Sequence, residues 1–146
     1  MIVVDASVWV RALTDDNPLG AACRQVMASD PEWAMPAHVR LEVLRALHKL
    51  TLAGVLDVSR ADGLAREVCA ATIITAATAA LLHRAWQLLH HLSAYDAAYV
   101  ALAERFGVPC LTTDVRLANA ARGLAAEVRL VEAPSTHLGE SDRAAT

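Results

Sequence analysis

Short β-branched runs alternate with stretches of helical periodicity along nearly the whole chain. This alternation constrains the fold most, because parallel strands need a long crossover that is usually a helix. Strand-like segments fall at residues 2–5, 33–35, 72–75, 109–112 and 128–131. Between them, helices are predicted over residues 7–13, 18–28, 37–53, 59–69, 78–91, 93–106 and 115–122. The best-marked helix, 37–53, places Val39, Val43, Ala46, Leu47 and Leu50 on one face, sets His38, Arg45 and Lys49 opposite, and stops at Gly54. The class is α/β, with a parallel sheet covered by helices. At 146 residues and 55% hydrophobic content, the chain makes one domain with one core, burying about two thirds of its unfolded surface. No internal repeat or interdomain linker interrupts residues 1–132, and the Pro, Ser, Thr and Gly content of residues 133–146 predicts a flexible C-terminal tail.

Four carboxylates stand in or against apolar segments where a surface acid is not expected: Asp5 after Ile2-Val3-Val4, Glu42 within Val39–Leu44, Asp96 within Tyr95–Val100, and Asp114 after Cys110–Thr113. Gathered by a fold, their charge needs a cation, so together they suggest a metal site. In open parallel sheets, ligands bind at the carboxyl ends of the strands, near the point where strand order reverses, and Asp5 and Asp114 both sit at such ends. Whether Asp96, at the start of the helix before the strand ending near Asp114, reaches that edge depends on the intervening loop.

Each acid also has a structural reading. Ser93 and Asp96 fit a capping box, but Tyr99, Val100 and Ala103 below Asp96 give it an apolar helix face and no basic neighbour. Asp114 fits the N-cap of the helix from Val115. Glu42 can pair with Arg45 at i+3, a surface contact worth roughly 0.2–0.5 kcal/mol. Asp5 is hardest to explain structurally, and Ser7 beside it is either its helper or a helix cap.

Several functions are disfavoured. The most apolar stretch, residues 68–82, is shorter than the roughly 18 residues of a membrane span and carries three threonines. The N-terminus has neither the basic region nor the cleavable apolar segment of a signal peptide. Cys23, Cys69 and Cys110 form no CxxC pair, so a reducing cytoplasm is the simplest setting. A net charge of −3 does not advertise a nucleic-acid binder, although cations held by clustered acids reverse their effect on a phosphate. His83, His90 and His91 lack a carboxylate or cysteine to complete a ligand set and read as surface residues. Trp9 and Trp86 read as core or interface aromatics.

Four segments in order carry a resemblance. They are Ile2-Val3-Val4-Asp5-Ala6-Ser7-Val8; Pro36 with Leu41-Glu42-Val43-Leu44-Arg45-Ala46-Leu47; Leu92 to Ala103 around Ser93-Ala94-Tyr95-Asp96; and Leu111-Thr112-Thr113-Asp114-Val115-Arg116-Leu117-Ala118. The chain resembles a PIN-domain ribonuclease, and within that group the VapC toxin of a VapBC toxin–antitoxin pair, over residues 1 to about 132. The resemblance implies a three-layer α/β/α domain with a central parallel sheet and an acidic pocket for Mg²⁺ or Mn²⁺. By the same resemblance, Asp5 and Asp96 are the principal metal ligands, Asp114 and Glu42 complete the pocket directly or through water, and Thr112 is its polar support.

The implied activity is metal-dependent hydrolysis of phosphodiester bonds in structured RNA, transfer or ribosomal, without a protein nucleophile and leaving 5′-phosphate and 3′-hydroxyl ends. Also implied are a VapB-type antitoxin that pushes a basic side chain into the acidic pocket, a homodimer, and a place for Trp9 on the antitoxin surface. Arg11, Arg45, Lys49 and Arg116 are candidates for phosphate contacts or ordinary solvated helix charges. Two other classes compete: a catalytically silent binding module of the same fold, and a receiver-like phosphoacceptor domain. The second needs an acidic pair after the first strand and a late Lys; the chain has a lone Asp5 and no such Lys. A haloacid-dehalogenase-type phosphatase fails because Ser7 stands where a second Asp is required.

Overall fold

The computed structural model describes residues 1–134. Within them, five parallel strands form one sheet: β1 (Ile2–Val4), β2 (Trp33–Pro36), β3 (Ile74–Ala76), β4 (Cys110–Thr112) and β5 (Val128–Leu130). The strand order is β3-β2-β1-β4-β5. The first strand is thus central, and the chain builds outward to β3 before crossing back to add β4 and β5. Strand order reverses between β1 and β4, and the carboxyl edge of that pair is where an open parallel sheet places its ligands.

Helices α1 (Ala6–Thr14), α2 (Pro18–Ala28), α3 (Val39–Leu52), α4 (Val58–Ala70), α5 (Leu82–Leu88), α6 (Ala94–Phe106) and α7 (Val115–Ala120) flank the sheet in a three-layer α/β/α arrangement. Helix α6 lies across β1, β2 and β4 and is backed by α5, while α1 packs on β4 with α2 and α3 against it. Seven consecutive α6 residues, Ala97 to Ala103, are buried, as expected of a helix that is apolar all round. Its alanines let the backbone approach the strands, and Tyr99, Val100 and Leu102 fill the remaining space. Ser93 caps its start, and Gly107 in the left-handed conformation (φ 64°) ends it. Gly20 permits a second close approach, because a Cβ there would meet the Asp15 carbonyl oxygen at 2.0 Å, and this seats α2 against the end of α1.

Several boundaries differ from the sequence reading. The strand expected at Thr72–Thr75 runs instead from Ile74 to Ala76, since helix α4 continues to Ala70 and pairing of Ala34 with Ile74 sets the register. The helix expected over Thr78–His91 is a 3₁₀ turn at Thr78–Ala80 followed by the short α5. This break turns the chain so that Leu81, Ala85 and Leu88, spaced as one helical face, are buried. Two turns closed onto the Leu88 carbonyl, from His91 and Leu92, then lead to Ser93.

His38, expected on the solvent side of its helix, is turned inward between Tyr95 and Tyr99, with ring centroids 5.1 and 5.7 Å away. Of the two readings of Trp9, core or interface aromatic, the structure bears out the first: it is 4% exposed and belongs to the core. Trp86 is 73% exposed, and His83, His90 and His91 are exposed as expected. No helix among the described residues is long and apolar enough to cross a membrane. Of the tail expected from Ala133, residues 135–146 lie outside the described residues.

Candidate active site

Asp5 follows β1 directly and occupies the N-cap position of α1, yet its side chain makes no cap hydrogen bond. It is held from the side. One carboxylate oxygen, Oδ2, accepts hydrogen bonds from the Ser7 hydroxyl at 2.5 Å and the Thr112 hydroxyl at 2.8 Å. Those hydroxyls accept in turn: the Thr113 N–H reaches Ser7 Oγ and the Asp114 N–H reaches Thr112 Oγ1, each at 3.0 Å. The turn after β1 is thereby stitched to the turn after β4. Thr112 is fully buried and Asp5 is 7% exposed. Burial pushes the Asp5 carboxyl above its usual range, the Ser7 and Thr112 hydroxyls pull it back, and the charge of Asp96 pushes it up again. No basic side chain bonds to Asp5 among the described residues. Of the two sequence readings of Ser7, helper to Asp5 is the one the hydrogen bonds support.

Glu42 stands in the first turn of α3. Its partner is not Arg45 but the buried Tyr99, whose hydroxyl donates to Oε2 at 2.6 Å. His38 Nε2 stands 3.4 Å from the same oxygen without a hydrogen bond. Burial holds His38 below its ordinary range, favouring the neutral imidazole, and raises the Glu42 carboxyl against the pull of Tyr99. The charges of Asp5 and Asp96 raise Glu42 further.

Asp96, in the first turn of α6, lines a cleft with Glu42 and Asp114, and its charge acts on Asp5 and Glu42, so the start of this helix joins the other acids. The expected capping box is only half made. Ser93 Oγ accepts the Asp96 N–H at 3.2 Å, but the Asp96 carboxylate takes the Ser93 hydroxyl, at 2.8 Å, rather than its backbone N–H. Asp114 does cap α7, accepting the Arg116 N–H at 2.8 Å. It also pairs with the Arg116 guanidinium at 3.1 Å, which holds its carboxyl below the usual range. For Asp114 the structural role and the place in the cleft coexist.

Two clefts meet at Glu42 and Asp114. One, of about 780 Å³, is lined by Ser7, Arg11, Glu42, Arg45, Lys49 and Asp114 among others. The other, of about 370 Å³, includes Glu42, His91, Asp96, Asp114 and Arg116. Glu42 and Asp114 line both, so basic side chains flank the acids on each side. Arg11 is fixed on its side by Thr113 at 3.2 Å and Asp15 at 2.9 Å. Among the described residues, no three His, Cys, Asp or Glu side chains converge closely enough to enclose an ion by themselves. An all-oxygen set around an open cleft nevertheless suits Mg²⁺, which keeps several waters and uses one or two carboxylates with substrate phosphate. The residues present fit such a cation.

Sequence reasoning missed Tyr99, which it placed on a plain apolar face, and the part played by the Thr113 N–H. A tyrosine three residues after an acid on a buried helix was the available signal. Its partner on another helix was not.

The sheet order, the acids at the strand reversal and the sequence segments define one class. A family model, the PIN domain, matches residues 2–123, and the chain belongs to that family, among the VapC ribonucleases. Ribonuclease VapC3 of Mycobacterium tuberculosis is 39% identical over 119 residues, covering 82% of this chain and 86% of the relative. Ribonuclease VapC12 of the same organism is 35% identical over 131 residues, covering 90% and 99%. Among solved structures, M. tuberculosis VapC20, described as a sarcin–ricin loop cleaving toxin, superposes with a TM-score of 0.64 at 22% identity, covering 82% of this chain and 95% of that one.

Proposed function

We propose that this chain is an endoribonuclease toxin, dependent on Mg²⁺ or Mn²⁺ and restrained by a cognate VapB-type antitoxin. Asp5 carries the reading: a buried carboxylate at the strand reversal, held by two hydroxyls, with no basic side chain to compensate its charge among the described residues. Its kinship with the VapC ribonucleases supports the same conclusion.

Asp5 and Asp96 are the principal ligands in this reading, with Asp114 and Glu42 completing the coordination sphere directly or through water. A divalent ion bound there supplies Lewis-acid charge for the phosphodiester and lowers the pKa of a bound water. Thr112 and Ser7 orient Asp5 through one oxygen. Ser93 orients Asp96 in the same way. Arg11, Arg45 and Lys49 offer positive charge to the flanking backbone phosphates, and hydrolysis in this reading is direct, without a protein nucleophile. The substrate is a transfer or ribosomal RNA whose loop exposes its bases. The functional unit spans residues 1–132 and works as a homodimer.

The test is cleavage of total cellular RNA by purified protein with Mg²⁺ or Mn²⁺, against EDTA and the Asp5→Asn and Asp96→Asn variants, with new ends mapped by sequencing. Discrete metal-dependent cuts lost in both variants are expected. Cuts that persist in both variants point to a contaminating nuclease. Absence of cutting under every metal condition supports a silent binding module instead.

A further inference from the structure

Tyr99 lies one helical turn after Asp96 on α6, has no exposed surface, and donates its hydroxyl to Glu42 Oε2 at 2.6 Å. His38, the N-cap residue of α3 and four positions before Glu42, stands 3.4 Å from that same oxygen and presents its ring edge-on to Tyr99. Oε2 is therefore committed to the protein interior. The other oxygen, Oε1, has no hydrogen-bond partner among the described residues, while Glu42 lines both clefts.

A glutamate side chain has three rotatable bonds, and left alone it must surrender that freedom when it binds an ion. A short hydrogen bond from a rigid buried phenol removes the freedom beforehand, and outer partners of this kind orient metal ligands. Burial and the Glu42 charge push the Tyr99 hydroxyl far up, so it remains a donor throughout the physiological range.

We propose that Tyr99 is a positioning residue whose hydroxyl fixes the Glu42 carboxylate so that Oε1 alone faces the cation, setting metal affinity and turnover without touching RNA. This rests on the nuclease reading above.

Tyr99→Phe keeps the ring and removes one oxygen. In RNA-free protein, titration with Mn²⁺ followed by electron paramagnetic resonance is expected to show affinity weakened about tenfold, with kcat on RNA falling about tenfold at saturating metal. KM for RNA should stay within about twofold, because the hydroxyl contacts no substrate. On a Glu42→Ala background the same substitution should change neither Mn²⁺ affinity nor kcat, since no carboxylate remains to be positioned.

Unchanged affinity and turnover in Tyr99→Phe overturn the proposal. So does a loss that persists on the Glu42→Ala background, or a fall confined to the melting temperature in EDTA, each of which assigns the hydroxyl to the fold alone. Wild-type protein that neither binds Mn²⁺ nor cuts RNA overturns the nuclease reading itself, and this inference with it.

Discussion

The acidic centre has a closed half and an open half, held on opposite terms. Asp5 and Thr112 are buried at the ends of β1 and β4, joined by a network of hydroxyl and backbone N–H hydrogen bonds. Asp96 and Asp114 stand at helix starts, partly exposed, each with a helix-start partner: the Ser93 hydroxyl for Asp96, and the Arg116 N–H and guanidinium for Asp114. The open acids serve the fold as they stand, because a carboxylate at a helix N-terminus is favourable without further charge. Asp5 is opposed by its own burial. In this molecule the cost of gathering like charges falls on the two more buried carboxylates, Asp5 and Glu42, and these gain most from a cation.

Asp5→Asn tests this division most severely. RNA cleavage should fall at least about a hundredfold, the upper end of what loss of even an indirect partner of a metal ligand costs. The metal-free protein should meanwhile become more stable, by about 1 kcal/mol or a few degrees in melting temperature, as follows when a functional strain is removed. A less stable Asp5→Asn protein would break the contrast between the halves.

Thr112→Val comes next. It strips one hydrogen bond from Asp5 and leaves the Asp114 N–H unpaired, so urea unfolding should report a loss of about 1–3 kcal/mol. On the open side, Ser93→Ala should cost about 1 kcal/mol, the ordinary loss of an N-cap.

Acidity sharpens the comparison further. Asp5 has its folded-state pKa raised above its ordinary 3.8, so the fold holds that proton more tightly than the unfolded chain does. Its contribution is most favourable at low pH and is lost as pH rises from near that value through the folded pKa. The stability gap between Asp5→Asn and wild type, measured by urea unfolding in EDTA, should therefore widen as pH is raised from about 4. The smallest effect belongs to Arg116→Ala. With its side chain 93% exposed, the pair with Asp114 should leave the unfolding midpoint unchanged within error, as exposed pairs commonly do.

The alternation of apolar runs was enough to read the class of the sheet and the edges of most helices, because both depend on local periodicity. It misplaced β3, whose register is decided by pairing with Ala34, and it missed the break at Leu81, which depends on what that residue packs against. All four acids were legible as misplaced charges in apolar segments. Their partners were not. Thr112 was expected only as a general polar support, and its specific bond to Asp5 depends on β1 and β4 lying side by side. His38 was read as solvent-facing since helical spacing alone cannot reveal that Tyr95 and Tyr99 cover that side of α3.

The bond between Asp5 and Thr112 joins residues 107 positions apart. During synthesis the central strand is made first and must wait for its β4 neighbour, roughly 5–20 s at ordinary elongation rates. Throughout that interval Asp5 has no Thr112 to orient it, and Asp114 does not yet exist. The acidic centre therefore cannot assemble until more than a hundred residues beyond Asp5 have been made, and its assembly is one of the later events of synthesis over the described residues.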